Sequence, residues 1–135
     1  MPLDRFSEDI ESRYATFAEA REGRNRGWIP DVVVPEDAVN IWEFHNIDTN
    51  ATWGCFTLSS GADPLRLRLQ KIGAKRTQGG LGAGPTRFLR TREWWPQASE
   101  TDAAETCQYQ ESERFNITVG VLPGGSAARF RRSNR

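Results

Sequence analysis

No stretch of this chain approaches the eighteen or so consecutive apolar residues of a membrane-spanning helix, which excludes a helical transmembrane segment. The opening residues, MPLDRFSEDIE, lack the basic and apolar regions of a secretory signal. Two settings stay open, a cytoplasmic protein or the mature portion of an exported one. Histidine occurs once, as His45, and cysteine twice, as Cys55 and Cys107. A zinc site draws on three or four nitrogen, sulfur or oxygen ligands, so this supply argues against a metal, and no cofactor motif stands in its place. Two thiols allow one disulfide, closing a loop of roughly fifty residues for about 3–4 kcal/mol, and two free thiols fit equally well.

Net charge is also missing, with eighteen acids balancing eighteen bases. Residues 1 to 60 hold eleven acids and five bases, and residues 61 to 135 hold seven acids and thirteen bases. Internal compensation explains that split most simply; a two-faced surface that docks a charged macromolecule is the sharper reading. Zero net charge, acids spread through the first half and no helix-turn-helix or finger pattern speak against a nucleic-acid partner.

What is present suits one packed domain over residues 1–135, since 37% of the residues are hydrophobic and 10% aromatic. Residues 7–22 read as a helix, with Ser7 as cap and Ile10, Tyr14, Phe17 and Ala18 on one side. Trp28-Ile29-Pro30 and Val32-Val33-Val34-Pro35, each stopped by proline, read as irregular chain laid over the core. Residues 38–45 and 52–58 alternate as two strands of an antiparallel hairpin, with a turn at Asp48-Thr49-Asn50. Residues 64–72 carry both helix and strand signals. Asp63-Pro64 before the run and Gly73 after it favour a helix.

Glycines at 73, 79, 80, 82 and 84 mark a loop, followed by short anchored pieces at Phe88-Leu89 and Trp94-Trp95-Pro96. Strands are expected at 106–110, 114–121 and 127–132, the last two joined by Pro123-Gly124-Gly125. The expected class is α+β, with a small antiparallel sheet of about four to five strands packed against two helices.

Chemistry-bearing side chains concentrate in His45-Asn46-Ile47-Asp48-Thr49-Asn50. A histidine near an acid can act as a general-base pair, so a small hydrolase-like enzyme using His45 and Asp48 is the alternative reading. No nucleophile motif surrounds Thr49, Thr52 or Cys55, and no catalytic residue is assigned. The plainer reading has Asp48 and Asn50 bonding backbone amides to shape the turn, with His45 making one local hydrogen bond. The glycine loop lacks the lysine and hydroxyl of a phosphate-binding loop. Lys75, Arg76, Arg87, Arg90 and Arg92 flank it and suit an acidic surface. His45, Asp48, Asn50, Arg87, Arg90 and Arg92 are therefore the ligand- or partner-binding candidates.

Taken together, Tyr14-x-x-Phe17, Gly27-Trp28-Ile29-Pro30 with Pro35, His45 to Asn50 leading into Trp53 and Phe56, and Trp94-Trp95-Pro96 resemble a family of small, uncharacterised bacterial envelope proteins, often lipoprotein-like. The resemblance implies a periplasmic or envelope-attached α+β domain and carries no established reaction. This chain departs from it in its two cysteines and its basic, glycine-rich 73–92 stretch. The expected function is a non-catalytic protein-binding domain, of the immunity or inhibitor kind; a structural envelope protein is a further alternative. The partner is expected to be another protein, and the sequence also admits a homodimer.

Overall fold

The computed structural model describes residues 9–23, 26–30, 32–47, 50–77, 81 and 104–134. Seven strands form one antiparallel sheet: β1 (Asp9–Thr16), β2 (Val39–Asn46), β3 (Thr52–Thr57), β4 (Lys75–Thr77), β5 (Glu105–Gln110), β6 (Phe115–Val121) and β7 (Ala127–Asn134). Their order across the sheet is β1-β2-β3-β7-β6-β5-β4. Two helices, α1 (Phe17–Glu22) and α2 (Asp63–Lys71), bring Phe17, Ala20, Leu65 and Leu69 into the core. The α+β class is as expected, and the sheet is larger than the four or five strands expected.

Both added strands lie at sheet edges. β1 occupies half of the stretch read as a helix, and α1 lies in the remainder. Ile10 and Tyr14 are four apart, as on a helix face, yet Ile10, Ser12, Tyr14 and Thr16 also alternate. Antiparallel pairing of the whole segment with β2 selects the extended form. The helix starts only after Thr16, whose hydroxyl accepts from Glu19 N at 3.2 Å, while the Glu19 carboxylate accepts from Ala15 N at 2.9 Å. Thr16-x-x-Glu19 thus works as a capping box one residue out of register. β4, only three residues, falls in the stretch read as loop.

The helix at 63–71 forms, but Ala62 rather than Asp63 occupies the cap position, and the Asp63 carboxylate accepts from Arg66 Nη1 at 2.8 Å. Its end is a Schellman turn: Gly73, at φ 79°, donates to Gln70 O and Ala74 donates to Leu69 O. The stretch between the prolines lies over the core as expected, with Val33 and Val34 fully buried and both amides donating to Pro30 O. Residues 78–80 and 82–87 of the glycine loop, Phe88-Leu89 and Trp94-Trp95-Pro96 lie outside the described residues.

One row of paired residues sets the shape of the core. Gly54, Phe130, Val119 and Cys107 sit opposite one another across β3, β7, β6 and β5 on the helix-covered face. A Cβ at Gly54 would stand 2.1 Å from the Phe130 ring and 2.8 Å from Trp42 O. Glycine is required there because the ring lies over its Cα. Cys55, next to Gly54, points to the reverse face and pairs in register with Arg129. The two thiols therefore sit on opposite faces and three strand spacings apart, roughly 14 Å. A disulfide needs Cα atoms within about 7 Å, so the bridge left open by the sequence is ruled out and both cysteines are free.

Candidate functional site

Strand β2 carries the site. Asn40, at φ 50°, makes a bulge against β3, and beyond it Ile41, Glu43 and His45 all point to the helix-covered face. Glu43 is 0% and His45 1% exposed. His45 Nδ1 bonds Glu43 Oε2, and the Trp28 indole stacks on the imidazole with ring centres 3.9 Å apart and planes 7° from parallel. Ser12, opposite Glu43 in the β1–β2 pairing, also bonds the Glu43 carboxyl.

Burial raises the Glu43 carboxyl from 4.5 to about 8; the Ser12 bond and the positive charge of Arg132 oppose the rise, and Glu11 adds slightly to it. At neutral pH the Glu43–His45 pair therefore holds a proton. Whichever partner carries it, the pair is a closed unit: an acid, an imidazole and a covering indole.

Arg132, from β7, lies beside this unit, opposite Thr52 in the β3–β7 pairing. Its Nη2 donates to Glu111 Oε2 at 2.7 Å and its Nη1 to Gly27 O at 3.3 Å, which ties the turn before Trp28 to the sheet. Glu43 Oε1, Thr52 Oγ1 and Arg132 Nε are buried without a protein hydrogen-bond partner. Two clefts, of about 450 and 440 Å³, meet at Gly27, Glu111 and Arg132, the first bounded by Phe17 and Ile29, the second by Trp28 and Asn50. Neither His45 nor Glu43 lines them. Arg132 lines both clefts, and its charge acts on Glu43.

The structure places Glu43, two residues back on the same strand, against His45; Asp48, Arg87, Arg90 and Arg92 lie outside the described residues. Asn50 contributes its backbone: at φ 60° it donates to Asn46 O, while Asn46 donates to Ala51 O, and this closes the hairpin. Asparagine tolerates that left-handed geometry better than most residues. Sequence reasoning missed Glu43, Ser12, Thr52 and Glu111. Glu43 had a signal, an acid sharing the face of Ile41 and His45 in an alternating strand. The partnership of Trp28 with His45 had none, because the intervening chain reverses over the core.

A third cavity, of about 350 Å³, opens between α2 and the β4 edge. Leu69, Ala74, Cys107 and Val121 form its apolar lining, with Arg66 and Arg76 at its rim. Arg66 Nε donates to Glu105 at 2.9 Å, whereas the nearest Arg76 nitrogen is 4.0 Å from the same carboxylate and its side chain is 76% exposed. Among the described residues, no cluster of three His, Cys, Asp or Glu side chains is placed to hold a metal. No described helix is long and apolar enough to cross a membrane. Neither the curated proteins nor the solved structures supply a match to this chain. Residues 8–57, which span β1 to β3 and include both members of the Glu43–His45 pair, are similar to a family model described as the YbbD head domain.

Proposed function

We propose that this chain is a non-catalytic protein-binding domain of the bacterial envelope, of the immunity or inhibitor kind, and that it engages its partner through the α2–β4 edge. The observation that carries the reading is the contrast between two places. The sole histidine is sealed under Trp28 against Glu43, where it meets neither solvent nor substrate. The α2–β4 edge offers an apolar groove with Arg66 and the exposed Arg76 at its rim. An acidic protein surface with one projecting apolar side chain fits that chemistry. A hydrolase using His45 would need the imidazole in an open cleft, within reach of a substrate proton.

Capture from bacterial envelope extract tests this, with the wild-type chain and Arg76→Glu immobilised side by side. The expected result is a protein held stoichiometrically by the wild type and released by the variant. Equal retention by both, or a small molecule copurifying in place of a protein, contradicts the reading.

A further inference from the structure

β1 ends the sheet on one side, and among the described residues no strand pairs with its outer edge. It runs for eight residues, where β4 at the opposite edge runs for three. In β2, Asn46 directs its amide to Ala51 on the β3 side. Antiparallel strands alternate the direction of their backbone groups, so the odd-numbered residues of β2 turn towards β1 and meet its even-numbered residues. The odd-numbered residues of β1 therefore turn outward, as Ala15 does, where the Glu19 carboxylate caps its amide.

We propose that β1 pairs antiparallel with β1 of a second copy of this chain, with Ser12 opposite Ser12, which makes one sheet across a two-fold axis. The axis stands normal to the sheet and keeps both helix-covered faces on one side. It permits only registers in which paired residue numbers add to an even total, because each side chain must meet one from the same face. Two such registers overlap over seven of the eight residues. One centres on Arg13 and sets the two arginines against each other. The other centres on Ser12 and sets Glu11 opposite Arg13 twice on the reverse face, with Ile10 opposite Tyr14 twice on the helix-covered face.

Opposite charges directly across a pair are favourable and like charges unfavourable, so charge selects the Ser12-centred register. A carboxylate offers about four lone-pair sites, so Glu11 takes Arg13 of the copy alongside its contacts within its own chain. The Arg13 guanidinium lies over Trp42, 5.0 Å from the ring centre, and its planar fork can bond a carboxylate while its face rests on the indole. The dimer leaves the α2–β4 edges at the two far ends of the joined sheet, so its presence or absence is independent of the proposed partner groove.

Sedimentation equilibrium on the full chain, from micromolar to sub-millimolar concentration, tests the pairing. The expected result is a reversible dimer that Arg13→Glu and Glu11→Arg each weaken about tenfold or more, and that the double exchange restores to within about threefold. Circular dichroism checks that each variant keeps its fold. Glu11→Arg leaves the Arg13–Trp42 contact in place, and it carries the test if Arg13→Glu loses structure. A wild type monomeric throughout overturns the proposal. So does a dimer indifferent to the single changes, or one that the double exchange fails to restore.

Discussion

Replacing Glu43 by glutamine separates the buried proton from everything else in the fold. Glutamine keeps the shape of the side chain, and its amide can donate to His45 Nδ1, but it cannot ionise. In the unfolded chain the Glu43 carboxyl titrates near 4.5, and in the folded chain at about 8. Between those values the folded state binds the extra proton, so stability is full at low pH and falls as pH rises through about 8. At about 1.4 kcal/mol per pH unit, the gap sets a ceiling of about 5 kcal/mol on the loss. Urea unfolding of wild type and Glu43→Gln at a series of pH values between 5 and 8 reads the difference directly. The two proteins should be nearly equal at the acid end, with the variant the more stable by several kcal/mol at the alkaline end. Parallel curves across the range would refute the buried, proton-holding pair.

Three other expectations rest on separate features. His45→Ala removes the platform under Trp28 and leaves the Glu43 carboxyl without its imidazole, and should cost about 2–4 kcal/mol in urea unfolding. Gly54→Ala places a Cβ 2.1 Å from the Phe130 ring, and its unfolding midpoint should drop by a destabilisation of about 2 kcal/mol or more; pairing it with Phe130→Leu should recover part of the loss. Mass spectrometry after alkylation without reductant should find two free thiols. Cys107 should react before Cys55, whose thiol burial pushes up to about 11.

Much of the sheet was legible because alternation and turn chemistry agree with tertiary structure there. Phe115, Ile117, Val119 and Val121 alternate into β6, and Pro123-Gly124-Gly125 turns into β7 with Gly124 and Gly125 both at positive φ. Gly73 ended α2 as expected of a left-handed terminator. β1 was not legible, because spacings of four and of two coexist in its short apolar set, and only the presence of β2 decides between them. β4 has no apolar residue to announce it; Lys75, Arg76 and Thr77 are a strand because β5 supplies the ladder.

At the site, the hairpin turn and its Asn50 were readable from residue type, and so was the prospect that His45 makes a local bond. Glu43 was overlooked as a partner of His45 because the chemistry-bearing side chains concentrate in the polar run that follows; a strand turns residues two apart to the same face, and that brings Glu43 to the imidazole. Trp28 was expected to anchor on the core, and its indole does so by stacking on His45. The exclusion of a disulfide depends on strand order, which the spacing of two cysteines does not carry.

Because the chain has a single histidine, diethylpyrocarbonate labelling followed by mass spectrometry reports on the central claim at one atom pair. A native His45 should resist modification and become reactive only when the chain is unfolded in urea. Prompt labelling of the native protein, at the rate of an open imidazole, would mean that solvent reaches the ring and would return acid–base chemistry to this site.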